Sequence, residues 1–589
     1  MGWYLWVILV YLLVLTGFNF LRARKVQSQD DFMVAGRTLS VTTMVFTLVC
    51  TWIGSGTFIA GAEYAVRAGW SSLWLPAGAW VGIAVIYFLA AKIRGFGQYT
   101  VGDILEVRYG KFARLFGAIA LVIAFTTIVS YQFRAGGYIL NVATDGAISV
   151  EMGQVIAAAF VILFTSMGGM VAVAHTDLPN GIIIVLACCA ALPFVVLFAG
   201  GWSGAAAALP PQHFAVFASD FGRYPALKAG GYFLATLLLL MGIQSMYQKF
   251  YSAKSPAEAK KAVGLWIFGT ILVETVVVVI AIYAASAHWA DLRAFDIAGT
   301  VKEQVATGQL QPAEAGTRAL SLATQAMAEG TVKPEQAARL QETLQSAFAG
   351  RYDAAAVADA RAGIDPASIV LQAARDMAGR GGLAMLVGLL LLGAACAVVI
   401  STGMNYLLSP TTNLMRDIYQ RFINPRADPT KMVALQKVFV VILGLCAFLM
   451  IFIPTVLHSR ISVLRYSYFA YTMYGVSITP ALLAALAWKR ATRQGGLASI
   501  LSGAFMALLL ELVVPNAFPS VMNGGDPWGI PSIYPAALVS IGALIIVSLL
   551  TPPPTAAELA PLFGKPQASG SAPGAKRDGP GASPGRPRV

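Results

Sequence analysis

The sequence predicts an all-α polytopic membrane protein, on three observations. Of 589 residues, 57% are hydrophobic and only 12% charged, a balance far from that of a soluble domain. Apolar windows long enough to cross a hydrocarbon core about 30 Å thick recur along almost the whole chain. Lys and Arg crowd alternate connections between those windows, the asymmetry that orients a membrane protein.

Thirteen spans are expected. They lie near 2–21, 41–66, 71–91, 115–143, 153–174, 179–200, 229–248, 263–286, 383–410, 434–453, 465–487, 497–515 and 534–551. The first lacks the basic leader and small-residue cleavage site of a signal peptide, so it counts as a helix. Inner connections hold Arg22, Arg24, Lys25 and Arg37, then Lys92, Arg94, Arg108, Lys111 and Arg114. Lys249, Lys254, Lys260 and Lys261 follow, then Arg416, Arg421, Arg426, Lys431 and Lys437, and last Lys489, Arg490 and Arg493. Short outer connections hold only Arg67, Arg223, Lys228, Arg460 and Arg465. The N-terminus is therefore expected outside and the C-terminus in the cytoplasm, in a plasma (inner) membrane. The net charge of +13 is anchoring charge on that side of the bilayer and calls for no nucleic acid.

Cys50, Cys188, Cys189, Cys396 and Cys446 all fall within expected spans and read as small apolar side chains rather than disulfides. No HExxH zinc motif and no Walker motif appears, which argues against a membrane protease or ATPase and for a chain that is not an enzyme. Residues 288–382, with "PEQAARLQETLQSAF", read as outer-face helices. Residues 552–589, rich in Pro, Gly, Ser and Ala, read as a disordered cytoplasmic tail.

Within the second span, "TWIGSG" places Gly54 and Gly56 two residues apart. Glycine weakens a helix and lets another backbone or a ligand come close. The stretch is either a site of unwinding or a place of tight helix–helix packing through small residues.

Five stretches, taken in order and topological position, decide between them. They are "DDFMVAGRTLS" after the first span, "YTVGDILEVRYG" after the third, and "TSMGGMVAVAHTD" at the fifth-to-sixth junction. "QKFYSAKSPAEAKKAV" follows the seventh and "RDIYQRFINP" the ninth. Together they resemble the sodium:solute symporter family, over nearly all of residues 2–551. That resemblance implies the leucine-transporter fold, a 5+5 inverted repeat of spans two to six and seven to eleven around a mid-membrane site. The implied units are 1–40, a first repeat 41–200, a second repeat 201–487 that includes the insert, two last helices in 488–551, and the tail. The first helix of each repeat should be discontinuous, which favours unwinding at "TWIGSG".

The resemblance also implies residues. Sodium, the coupling ion, would lie between the unwound second span and the ninth. Backbone carbonyls of Cys50, Ile53 and Val398 would hold it with the hydroxyls of Ser401 and Thr402. The other reading of those hydroxyls is a bond back to their own helix. A second sodium site, present in some members, would use Asp177 and the ninth span. Here Met404 and Asn405 stand where acids or hydroxyls are common, so one sodium per solute is expected, and Asp177 could instead cap the sixth helix near the cytoplasm. Solute contacts would come from Trp52, Ser55, Thr57, Gln132, Arg134, Gln244, Tyr471 and Tyr474.

Arg134 is an intramembrane charge that could hold a carboxylate in bidentate fashion or pair with Glu63 or Glu274. For Glu63, spaced four residues from Arg67, a local pair is the plainer choice. The expected function is sodium-coupled symport of a small organic solute, favouring a carboxylate such as an amino acid or monocarboxylate. The alternatives are a proton-coupled permease of the same fold and a sensory receptor with a transporter-like domain. Nothing in the sequence fixes the oligomeric state.

Overall fold

A computed structural model describes residues 4–23, 28–218, 223–426, 428–457 and 462–563. Arg24, Lys25, Arg460 and tail residues 564–589 lie outside the described residues. Ten helices in the described part are long and apolar enough to cross a membrane. Two of the expected boundaries inside that set disappear. The second span runs on through a tight turn into the third, as Gly56–Phe96, and the fifth and sixth form one run, Val150–Phe198. That run breaks at Gly169, where the backbone takes φ 52° and ψ −152°. The first expected span is a helix, Tyr4–Ala23. The two continuous runs each hold two expected spans, so the set of ten does not by itself confirm a count of thirteen.

The spans stand where the hydropathy places them because their apolar side chains have two destinations. Inner faces pack on each other, as in Phe125, Phe164, Trp266 and Tyr474, all fully buried. Outer faces such as Phe88, Leu186, Phe268 and Leu538 remain exposed, which suits lipid. The ninth span, Gly382–Asn413, packs against the fourth, Lys111–Ala143, and against the fifth–sixth run. It is buried along almost its entire length.

Charges expected on one side meet at one end of the molecule. Arg114 pairs with Asp103 at 2.8 Å, Glu106 at 2.6 Å and Asp417 at 2.6 Å. Arg94 Nε donates to the Ala253 carbonyl at 2.7 Å, and Arg108 Nη2 to that of Lys489 at 2.8 Å. Loops following the third, seventh, ninth and eleventh spans are thus tied together.

The tail does not begin as expected. Ala556–Phe563 is a helix, capped by Thr555 Oγ1, which accepts from Glu558 N at 3.3 Å while Glu558 Oε2 accepts from Thr555 N at 2.8 Å. Leu562 is buried and the Phe563 ring lies 4.4 Å from Lys92 Nζ. The Pro-rich flanks concealed a Thr-x-x-Glu capping box with an apolar pair to bury.

Residues 288–382 form short helices, including Trp289–Ala306, Ala315–Ala328, Pro334–Phe348 and Ile369–Gly379. Ala294, Val301, Ala323, Leu340 and Leu344 build a core separate from that of the spans. Arg339 Nη2 and Asp291 Oδ2 lie 2.7 Å apart across it. A two-stranded hairpin, Met522–Asn523 with Asp526–Pro527, joins the last two spans. Its Asp526 pairs with Lys228.

Candidate ion and solute site

The second span is helical over Val41–Trp52 and then breaks. Ile53 takes φ −74° and ψ 90°, and a wide-turn helix resumes at Gly56. Both glycines are there for close approach. A Cβ on Gly54 would sit 2.6 Å from Thr402 Cγ2, and one on Gly56 would run into the Tyr471 hydroxyl. The backbone at the break is thus pressed onto the ninth and eleventh spans.

Across the break, Thr402 Oγ1 lies 2.8 Å from the Cys50 carbonyl oxygen and 3.2 Å from that of Ile53. A hydroxyl has one proton to give. At any moment Thr402 serves only one of the two carbonyls, and both Cys50 and Ile53 are fully buried. Carbonyl and hydroxyl oxygens are the hard donors that suit a group I cation, and these three converge. Val398 lies one turn earlier on the same buried helix. Ser401 differs from the expectation: its hydroxyl donates to Asp177 Oδ1 and does not turn toward the two carbonyls.

Asp177 is likewise not a helix cap. It lies well inside the Val150–Phe198 run, fully buried. Thr47 Oγ1 and Ser401 Oγ both donate to its carboxylate, and Asn405 Nδ2 donates at 3.1 Å. A charge so enclosed needs such donors. Asp177 and Asn405 therefore do meet, directly beside the Thr402 cluster. Lys249, expected in an inner loop, meets them too. It is fully buried in the short helix Gln244–Ser252, and its ammonium donates to Asn405 Oδ1. The break at Ile243 (φ −66°, ψ 119°) turns this helix inward.

On the other side of the break, Ser55 N donates to Gln132 Oε1 at 3.3 Å. Ser55 Oγ and Gln132 Nε2 are buried with no hydrogen-bond partner among the described residues. Orphaned buried polar atoms are uncommon and call for an explanation. Trp52 Nε1 donates to Glu274 Oε1 at 2.8 Å and Trp80 Nε1 to Glu274 Oε2 at 2.7 Å, with the Thr57 hydroxyl near the same carboxylate. Tyr471 is hydrogen-bonded to Tyr131. Trp52, Ser55, Thr57, Gln132 and Tyr471 thus form one neighbourhood.

Gln244 and Tyr474 do not join it. Gln244 Oε1 accepts from Val101 N at 2.6 Å, and its Nε2 donates to the Tyr99 carbonyl at 3.3 Å. The Tyr474 hydroxyl accepts from Gln244 N at 3.0 Å and donates to the Gly242 carbonyl at 2.7 Å. The Gln244 side chain is thus occupied by the loop after the third span, and the Tyr474 hydroxyl in closing the seventh-span break.

Arg134 is also apart, because residues two apart on a helix point to different sides. Its Nε donates to Tyr138 Oη at 3.2 Å and its Nη1 to Thr455 Oγ1 at 3.5 Å. Neither expected carboxylate reaches it. Glu63 pairs with Arg67 at 3.1 Å and accepts from Ser462 Oγ at 2.6 Å, while Glu274 holds the two indoles. The Tyr138 hydroxyl instead donates to Asp365 at the end of the insert, at 2.7 Å.

Sequence reasoning missed Thr47, Trp80 and Lys249 as parts of this region and treated Glu274 only as a partner for Arg134. A carboxylate inside a membrane span is itself a signal, and that signal was available for Glu274. Thr47 and Trp80 carry none.

Comparison with known proteins gives this geometry a context. The family model described as "Sodium:solute symporter family" matches residues 32–309 and 372–503. The high-affinity proline transporter PutP of Bacillus subtilis (strain 168) is 22% identical over 557 residues, covering 91% of this chain and 95% of that protein. The sodium/pantothenate symporter of Escherichia coli (strain K12) is 27% identical over 208 residues, 34% of this chain and 42% of that protein. That second match thus spans less than half of its partner. The solved structure of a Na+-coupled sialic acid symporter in a substrate-bound outward-open state superposes with a TM-score of 0.65 at 15% identity, covering 94% of this chain and 99% of that one. The last likeness concerns the fold, that of the leucine-transporter type. The gap between the two matched segments lies within the insert, as it would for an addition to a shared core. With its model matched across most of the membrane-spanning chain, the chain belongs to the sodium:solute symporter family: it is a secondary active transporter that moves a small organic solute together with sodium.

Proposed function

We propose that sodium binds at Cys50, Ile53, Val398, Ser401 and Thr402, the Ser401 hydroxyl turning from Asp177 to join the others, and that the solute is a small carboxylate such as an amino acid or monocarboxylate. The observation that carries this reading is the second-span break. On one side it presents two carbonyls that share a single hydroxyl proton. On the other it presents the unpartnered Ser55 Oγ and Gln132 Nε2. The helix that resumes at Gly56 points its N-terminal end at the same place, and such an end favours an anionic group. Proline, pantothenate and sialic acid, the solutes named for the relatives above, are all carboxylic acids.

Ion and solute would then share one backbone segment. Sodium drawing the Cys50 and Ile53 carbonyls toward Thr402 fixes the position of Ser55, two residues further on, and with it the solute contacts. Trp52, Thr57 and Tyr471 complete that lining. Rocking of one helix group against the other, with repeats 41–200 and 201–487, releases both on the far side. The membrane potential supplies about 2.3 kcal/mol per charge per 100 mV for the coupled step. The Lys and Arg asymmetry supports the N-terminus outside and the C-terminus in the cytoplasm.

Uptake into liposomes holding the purified protein tests this reading. Amino acids, monocarboxylates, sugars and vitamins are offered under an inward sodium gradient, an inward proton gradient, or neither. Accumulation of a carboxylate under the sodium gradient alone is expected. Accumulation under the proton gradient with no sodium effect would sink the ion assignment, and accumulation restricted to sugars would sink the solute class.

A further inference from the structure

We propose that the Lys249 ammonium is a tethered cation standing in the place of a second sodium ion, so that each solute crosses with one sodium. The inference rests on the sodium-symport reading above.

Residues 177, 401 and 405 come together as a second cation site would require. Asp177 supplies a full charge, Ser401 and Thr47 bring hydroxyls to it, and Asn405 gives it an amide N–H while turning its oxygen to the far side. The amide orientation is fixed by its partners. Asn405 Nδ2 faces two acceptors, Asp177 Oδ2 at 3.1 Å and the Ser401 carbonyl at 2.9 Å, which leaves Oδ1 for a cation. Lys249 Nζ takes that oxygen. Its other polar neighbour is Met170 Sδ at 3.9 Å, and Asp177, on the other side of the Asn405 amide, is the carboxylate that acts on it.

Lys249 is fully buried. A buried ammonium persists only with a counter-charge and hydrogen-bond partners, and Asp177 with Asn405 provides both. The pocket is then neutral, one negative charge against one positive. A sodium ion added beside Lys249 would leave a net positive charge in a region closed to water. Removing the ammonium would leave Asp177 uncompensated, with Thr47, Ser401 and Asn405 gathered around its carboxylate. That pocket should recruit a small cation.

Equilibrium binding of radioactive sodium to the purified full-length protein in detergent counts the ions without needing the solute. Wild type should bind about one sodium per chain. Lys249→Met keeps the aliphatic stem and loses the charge, and should bind about two. Lys249→Arg, which keeps a tethered cation, should stay at one, as should Lys249→Met combined with Asp177→Asn, which removes both charges. Thermal stabilisation by sodium chloride over choline chloride gives a second readout, because each site adds its own linkage contribution. The slope of stabilisation against log sodium concentration should roughly double in Lys249→Met. Two sodium ions in wild type would overturn the proposal, as would one in folded Lys249→Met. No sodium binding in wild type would instead overturn the symport reading on which it rests. If Lys249→Met does not fold, the wild-type count still decides, and Lys249→Gln replaces it under the same expectation of two.

Discussion

Two spans of this molecule break in the membrane, the second at Ile53 and the seventh at Ile243, and the two breaks are finished differently. At Ile243 tyrosine hydroxyls supply the missing partners. Tyr474 serves both Gly242 O and Gln244 N, and Tyr247 donates to the Met241 carbonyl at 2.9 Å. At Ile53 one threonine hydroxyl serves two carbonyls. The first arrangement answers its freed backbone groups with tyrosine hydroxyls, and its unpartnered atom is a side chain, Ser245 Oγ. The second is one donor short. A break in a membrane helix is thus not in itself a binding site. It becomes one where the freed backbone groups outnumber the side chains that answer them.

The largest effect should come from emptying the side of the second break that faces the ninth span. Ser401→Ala with Thr402→Ala removes both hydroxyls while keeping good helix formers. A hydrogen bond or ligand contact to a charged group contributes about 1.5–3 kcal/mol. Two of them correspond to roughly a 100-fold rise, or more, in the sodium concentration for half-maximal uptake. Sodium titration of uptake measures it, and an unchanged half-saturation would remove these residues from the ion site.

A different kind of loss is expected at the seventh break. Tyr474→Phe deletes a hydroxyl and leaves a buried N–H and a buried carbonyl without partners, at about 1–3 kcal/mol for each such group. The melting temperature should fall, while half-saturating sodium and solute concentrations stay within about twofold, below the 1.4 kcal/mol that a tenfold change represents. A variant with wild-type stability and a strongly raised solute requirement would return Tyr474 to the solute site, where the sequence pattern had placed it.

That contrast also shows what could be read from the chain and what could not. Gly54 and Gly56 announced the second break because close approach leaves a mark in residue type. Thr402 could be aligned with Cys50 and Ile53 because the family pattern carries spacing along each helix. The seventh break is expected in the first helix of the second repeat, and Gly242, where a Cβ would run into Thr479, is a mark of the same kind that the apolar run around it conceals. Lys249 was read as loop charge because hydropathy cannot distinguish a lysine beyond the bilayer from one turned inward by a break six residues earlier. The capture of Trp52 by Glu274 joins residues far apart in sequence. Only the packing of the eighth span against the second brings them together.

Arg134 lies beyond both breaks and should show the smallest effect. Its guanidinium is half-buried beside Tyr138 and Thr455, away from Gln132 and linked to the insert through Asp365. From that position it would act on an anionic solute through its field, not through direct contact. Fields at exposed or half-buried sites are screened over about 8–10 Å at ordinary ionic strength. Arg134→Gln should therefore slow uptake of a carboxylate by a few-fold at low ionic strength, since steering contributes on the order of 10-fold or more only where charges focus the field. The deficit should shrink when choline chloride is added at fixed sodium, and a neutral solute should not register the change. Arg134→Lys keeps the charge and should behave as wild type. A bidentate clamp predicts otherwise, because an ammonium cannot reproduce the planar fork of a guanidinium. Carboxylate affinity lost equally in Arg134→Lys and Arg134→Gln, at every ionic strength, would place the guanidinium on the solute and shift the binding site toward the insert.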